Sequence, residues 1–128
     1  MDATAEARAV AALARRCQEV IDRAFQLLGQ GIIAINESNG WNVATPELWE
    51  SSNKSDIPCR LALIHSEVSE ALEAYRKGDR ANFEEEMADT LIRILDLTHG
   101  LGVDIAEAVL SKLERNAQRG FRHGGKVV

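Results

Sequence analysis

Apolar residues recur at helical spacing along most of this chain. From about Ala3 to Glu37 they include Val10, Leu13, Val20, Ile21, Phe25, Leu28 and Ile32, which predicts a long first helix. Gly29 and Gly31 predict a break or kink within it, and Asn39-Gly40 its end. Residues 40–56 lack periodicity and form the only long irregular stretch, holding Trp41, Pro46, Trp49 and the polar run Ser51-Ser52-Asn53-Lys54-Ser55. Ser55 or Asp56 then caps a second helix, with Pro58 in its first turn, that runs to about Lys77. Its apolar surface comes from Leu61, Leu63, Ile64, Val68, Ala71, Leu72 and Tyr75. After Gly78, Asp79 opens a third helix to about His99, with a buried stripe of Phe83, Met87, Leu91, Ile94 and Leu95 or Thr98. Gly100 and Gly102 break the chain again. Asp104 and Glu107 are spaced as a capping box for a fourth helix to about Gln118. No strand, internal repeat or low-complexity tract is evident. The predicted fold is all-α: a helical bundle around a central antiparallel helical hairpin that turns at Lys77-Gly78-Asp79. The expectation is one domain over residues 1–128, with a basic, glycine-rich, flexible tail at about 120–128.

The hairpin carries the chemistry. Glu67 and Glu70 share one face of the second helix, and Glu86 and Asp89 share one face of the third, each pair spaced i,i+3. Glu70 lies eight residues before Gly78 and Glu86 eight after it; Glu67 and Asp89 are each eleven away. At 1.5 Å per residue these are levels about 12 Å and about 16 Å from the turn. Glu70 is therefore expected to face Glu86, and Glu67 to face Asp89. Four carboxylates brought together need a cation to offset their repulsion, and oxygen donors of this kind suit Mg²⁺, with Mn²⁺ as a substitute. The competing reading has these acids on solvated faces, paired with Arg76, Lys77 or Arg93. Neither Cys nor His has the spacing of a zinc site. Glu84 and Glu85 need no more than the helix dipole, since they fall in the first turns of the third helix.

Charge narrows the ligand. With 15 Lys and Arg against 20 Asp and Glu, the net charge of −5 argues against a nucleic acid polymer as partner. The segment from Ser111 on is basic nonetheless, with Lys112, Arg115, Arg119, Arg122 and Lys126 against Glu114 alone. A small anion fits that pattern better than a polymer. Cys17 and Cys59 suggest no disulfide framework and are expected as buried thiols in a reducing compartment. The N-terminus lacks a signal-peptide pattern, and no apolar run reaches the roughly 18 residues of a membrane span, so a cytoplasmic protein with no membrane partner is expected.

The segment HSEVSEALEAYRKGDRANFEEEMADTLIRILDL, followed by KLERNAQRGFRHGGK, resembles the MazG-like nucleotide pyrophosphohydrolases over roughly residues 36–126. The shared pattern is ExxE, a spacer, ExxD, then a Lys–Asn–Arg group on the last helix. Glu67, Glu70, Glu86 and Asp89 fill the acidic positions, and Lys112, Asn116 and Arg119 the last group. Many relatives begin the first motif with two glutamates, whereas Ser66 precedes Glu67 here. The resemblance implies hydrolysis of a nucleoside triphosphate between its α- and β-phosphates, giving a monophosphate and pyrophosphate. It also implies at least a dimer with composite sites, whether homodimer or homotetramer. Glu67 is the candidate for orienting or deprotonating the attacking water, with a role as pure ligand equally open.

Lys112, Asn116 and Arg119 fall at i, i+4 and i+7, on one helix face; Lys and Arg suit phosphate oxygens and Asn can bond sugar or phosphate, with a solvated basic face as the bland alternative. Arg122, His123 and Lys126 can add to phosphate binding from the tail. Trp41 and Trp49 are candidates for stacking on a nucleobase or for packing, and Lys54 for reaching a phosphate. His65 and His99 read as structural. Asn36 belongs to the resemblance without an independent role. Two alternatives stay open: a phosphoribosyl-ATP pyrophosphatase, and a non-catalytic helical module that binds metal or nucleotide.

Overall fold

A computed structural model of the chain describes residues 2–119. Arg122, His123, Lys126 and the expected tail lie outside the described residues. Five α-helices occur in order: α1 (Ala3–Arg16), α2 (Gln18–Ser38), α3 (Asp56–Arg76), α4 (Arg80–Leu101) and α5 (Ile105–Arg119). A short 3₁₀ helix, Pro46–Glu50, interrupts the stretch expected to be irregular. There is no strand among the described residues, and the fold is all-α. None of the described helices is long and apolar enough to cross a membrane.

The residues form two compact units. One comprises the described residues up to Leu27 together with those from Asp104 on; the other is Leu28–Val103. In the first, α1 packs on α5. Arg15 is the clamp: its guanidinium donates to Glu107 at 2.6 Å and to Glu114 at 2.7 Å. Ala106 and Leu110 are buried. In the second unit, α3 and α4 form the antiparallel hairpin. Its seam is built from small or compact residues, with Ala71 and Ala74 of α3 and Thr90, Leu95 and Leu97 of α4 buried.

Local chemistry accounts for the helix ends. Gly78 adopts φ +70°, and the N–H of Asp79 bonds to the Ala74 carbonyl while that of Gly78 bonds to Tyr75, the Schellman arrangement that closes α3. The Asp79 side chain then accepts from the Asn82 N–H and starts α4 at once. Asp104 likewise accepts from the Glu107 N–H at the start of α5. The capping box is only half formed, because the Glu107 carboxylate is engaged by Arg15 and Ser111. At α3 neither expected side chain caps: Ser55 makes no cap bond, and Asp56 accepts from Arg60 at 2.6 Å.

Several expectations need correction. The first helix breaks at Cys17, not at Gly29 or Gly31; α2 continues unbroken through both glycines. The last turn of α1 tightens there, with the Cys17 N–H shared between the Leu13 and Ala14 carbonyls. Gly29 serves close packing, since a Cβ there would meet His99 Nδ1 at 2.5 Å. Gly100 also stays helical, and a Cβ on it would meet the Ala44 carbonyl oxygen at 2.7 Å. Cys17 and Cys59 are both exposed, the first at the interruption between helices and the second on an outer face of α3. Met87 and Leu91, expected in the buried stripe, are 47% and 53% exposed. Thr90 occupies the seam instead, and about 100° of rotation per residue carries Leu91 off to its side.

Packing at the two helical glycines makes opposite predictions from Gly31, whose Cβ would meet nothing within 4 Å. Gly100→Ala is expected to destabilise by about 1–3 kcal/mol through the backbone clash with Ala44. Gly31→Ala is expected to stabilise by about 0.5–1 kcal/mol, the helix-propensity difference. Urea unfolding of the two variants beside the parent chain measures both.

Candidate active site

The hairpin register brings the acids together. Carboxylate oxygens of Glu67, Glu70 and Glu86 lie within 4.8 Å of one another. Glu67 is buried at 8% exposure, Glu86 is half-buried and Glu70 is exposed. Asp89 is outside this group of three and lines the adjoining cavity together with Glu67. Arg93, one turn beyond Asp89, donates its Nε to Glu67 Oε1 at 2.7 Å. Arg76 and Lys77 pair with Glu73, at 3.8 Å each, leaving the clustered acids alone. Of the cations that compete for the acids, Arg93 alone has one of them.

Electrostatics splits the cluster. The Arg93 guanidinium, by hydrogen bond and charge, holds the Glu67 carboxyl below the usual carboxylate range. Glu86 goes the other way: hydrogen bonding with Glu67 and Glu70, reinforced by burial and their charges, pushes it up to about 7. Its Oε2 is buried with no hydrogen-bond partner among the described residues. A buried carboxylate oxygen without a partner, beside two more carboxylates, is a donor set that a hard divalent cation satisfies. The site fits such a metal.

A cavity of about 490 Å³ opens beside the cluster. Its wall includes Glu67 and Arg60 from α3, Asp89, Arg93 and Asp96 from α4, and Asn36 and Trp41 from the end of α2 and beyond. Trp41 is positioned by the cap of α2. Gly40 takes φ +82°, the Gly40 N–H bonds to Glu37 and the Trp41 N–H bonds to the Asn36 carbonyl at 2.9 Å. Trp49 and Lys54 line a different, smaller cavity of about 220 Å³ formed by the 3₁₀ helix and the start of α3. The structure thus brings Trp41 to the acids' cavity and not Trp49 or Lys54.

Lys112, Asn116 and Arg119 belong to α5 in the other unit. Arg15 engages Glu107, Ser111 and Glu114. At about 100° per residue, the Lys112–Asn116–Arg119 face points away from that clamp. Asn116 Oδ1 is buried with no hydrogen-bond partner among the described residues.

Arg60 and Asp96 are the residues that sequence reasoning left without a role, and Arg93 entered it only as a counter-ion of the acids. Their signal is spacing. Arg60, Leu63, Glu67 and Glu70 follow an i, i+3, i+7, i+10 stripe on α3, as do Glu86, Asp89, Arg93 and Asp96 on α4. The stripes mirror each other about Gly78, so extending each acid pair by two turns finds the cavity wall.

The Glu86 shift has a consequence for pH. Its pKa in the folded, metal-free protein, about 7, lies above the ordinary 4.5. The stability it contributes is full below 4.5 and is lost as pH rises through about 7. In chelator, the Tm is expected to fall over this window, and Glu86→Gln to flatten the fall. A divalent cation must displace that proton, so its apparent affinity is expected to rise between about pH 6 and pH 8. Calorimetric Mn²⁺ titrations across that range measure the effect.

Known families agree with this geometry. Residues 59–121, just under half of the chain, match the MazG nucleotide pyrophosphohydrolase domain. Neither the curated proteins nor the solved structures gave a significant match. The matched stretch holds all four acids, the hairpin turn and α5. That family is one of nucleotide pyrophosphohydrolases, and the chain is MazG-like over residues 59–121, within an all-α fold.

Proposed function

We propose that the protein is a Mg²⁺-dependent nucleoside triphosphate pyrophosphohydrolase that cleaves an NTP or dNTP between the α- and β-phosphates. The products are a nucleoside monophosphate and pyrophosphate, and the role is removal of unwanted nucleotides from the pool. The observation that carries this reading is the convergence of Glu67, Glu70 and Glu86, with a partnerless Glu86 oxygen, inside the matched segment.

Glu67, Glu70, Glu86 and Asp89 would hold the cation. Mg²⁺, or Mn²⁺ in its place, supplies neutralisation of phosphate charge and acidifies water when bound. Glu67, kept ionised and fixed by Arg93, orients the attacking water in line with the departing pyrophosphate. Trp41 offers its exposed face to the base. Lys112 and Arg119 are phosphate-binding residues in this reading, supported by their common face, and Asn116 on the same face offers its unpartnered Oδ1 to a sugar hydroxyl. Arg122 and Lys126 complete the proposed substrate contacts, and Trp49 and Lys54, which line the separate cavity, are given none. The working form is a homodimer or homotetramer in the cytoplasm, consistent with the half-exposed apolar residues Val68, Leu72, Met87 and Leu91 along the hairpin.

A panel of NTPs and dNTPs, with phosphoribosyl-ATP included, tests the activity by chromatography of products in Mg²⁺ and in chelator. Monophosphate and pyrophosphate are expected in Mg²⁺ alone; intact triphosphate across the panel with folded protein defeats the reading. Glu70→Gln is expected to lower kcat/KM by at least the roughly 10–100-fold that follows loss of a metal-orienting partner. Lys112→Ala is expected to raise KM more than it lowers kcat, if its charge binds phosphate in ground and transition states alike.

A further inference from the structure

Glu67 and Asp89 stand at matched levels of the hairpin, yet only Glu67 joins the group of three carboxylates. Arg93 reaches that level instead. It follows Asp89 by four residues on α4, and helical side chains lean towards the N-terminus of their helix, so the guanidinium reaches back over the Asp89 turn. There its Nε donates to Glu67 Oε1 at 2.7 Å, from one helix of the hairpin to the other.

The pairing is exclusive. Glu67 is the ion-pair partner of Arg93, and the two Nη groups have no hydrogen-bond partner among the described residues. Arg60 borders the same cavity but is bonded to Asp56 and to the Asn42 carbonyl. Glu67 is also the most buried of the four acids, its side chain 10% exposed. A carboxylate so placed needs a counter-charge close by, and Arg93 supplies it. The charges of the cluster point the same way. When ionised, Glu67, Glu70 and Glu86 carry three negative charges; the guanidinium cancels one, and a single divalent ion cancels the other two. A second divalent ion between Glu67 and Asp89 would lie against the guanidinium, where like charges in a partly buried site repel strongly.

We infer that Arg93 stands in for a second metal ion, so that the acid cluster takes one divalent cation per chain and not two. The inference rests on the metal-dependent hydrolase reading and sets the cation count of that same site.

The test titrates Mn²⁺ calorimetrically, without nucleotide, into the parent chain, Arg93→Gln and Arg93→Lys, and records electron paramagnetic resonance spectra of the loaded samples. The parent is expected to bind about one ion per chain and to give the spectrum of isolated Mn²⁺. Arg93→Gln removes the charge and keeps an N–H donor, and is expected to bind about two, with the spin coupling of a pair about 3.5–4 Å apart. Arg93→Lys keeps a charge and is expected to stay at about one. A merely structural arginine would lower the Tm of Arg93→Gln and leave its count at one, which overturns the inference. Two ions in the parent, or in Arg93→Lys, overturn it as well, while hydrolysis in the substrate panel stands. A parent that binds no Mn²⁺ overturns both the inference and the metal-dependent reading beneath it. Should Arg93→Gln fail to fold, the count in the parent decides: one ion with an uncoupled spectrum supports the inference, and two overturn it.

Discussion

Three carboxylates within 4.8 Å of one another repel, and the hairpin must offset that repulsion in order to fold around them. Two devices do so within the chain. Arg93 takes one charge by bonding Glu67, and Glu86 gives up its own charge by holding a proton to about pH 7. A bound cation would replace the second device and leave the first in place. The acid cluster is thereby compatible with a folded chain both before and after metal binding. The alanines of the α3–α4 seam let the helix backbones approach closely enough for the cluster to form.

The same register organises what surrounds the acids. Each turn of α3 and α4 away from Gly78 adds a matched level: first Glu70 and Glu86, then Glu67 and Asp89, then Leu63 and Arg93, then Arg60 and Asp96. Chemistry therefore changes with distance from the turn, from metal-binding oxygens to hydrogen-bonding groups. A ligand with a charged end and a flat polar end is the kind of molecule that such a gradient suits.

The legible parts of this structure are those fixed by local chemistry. Asp79, Gly78 and Asp104 announce helix ends within a few residues, and the equal spacing of Glu70 and Glu86 from Gly78 predicts their meeting. The illegible parts depend on distant partners. Gly29 and Gly100 weaken a helix by local rules, yet each lies inside one because His99 and Ala44 need the space a side chain would take. The break at Cys17 leaves the apolar pattern nearly in phase, so periodicity passes over it. Arg60 and Asp96 stand outside the ExxE and ExxD pairs, although they continue the same stripes. Trp41 and Trp49 look equivalent in sequence, and only the cap at Gly40 and the 3₁₀ helix send them to different cavities.

Mirror symmetry about Gly78 also governs how this chain can vary in length. Fifteen residues separate Glu70 from Glu86. Inserting one among them would turn every later α4 side chain by about 100° and swing the acids off the seam. The segment 41–55 carries no such constraint on the cluster, because it joins α3 before the first stripe residue. Insertions and deletions between Glu70 and Glu86 would thus scramble the acid cluster, whereas those before α3 would reshape the rim of the adjoining cavity and leave the acids in register.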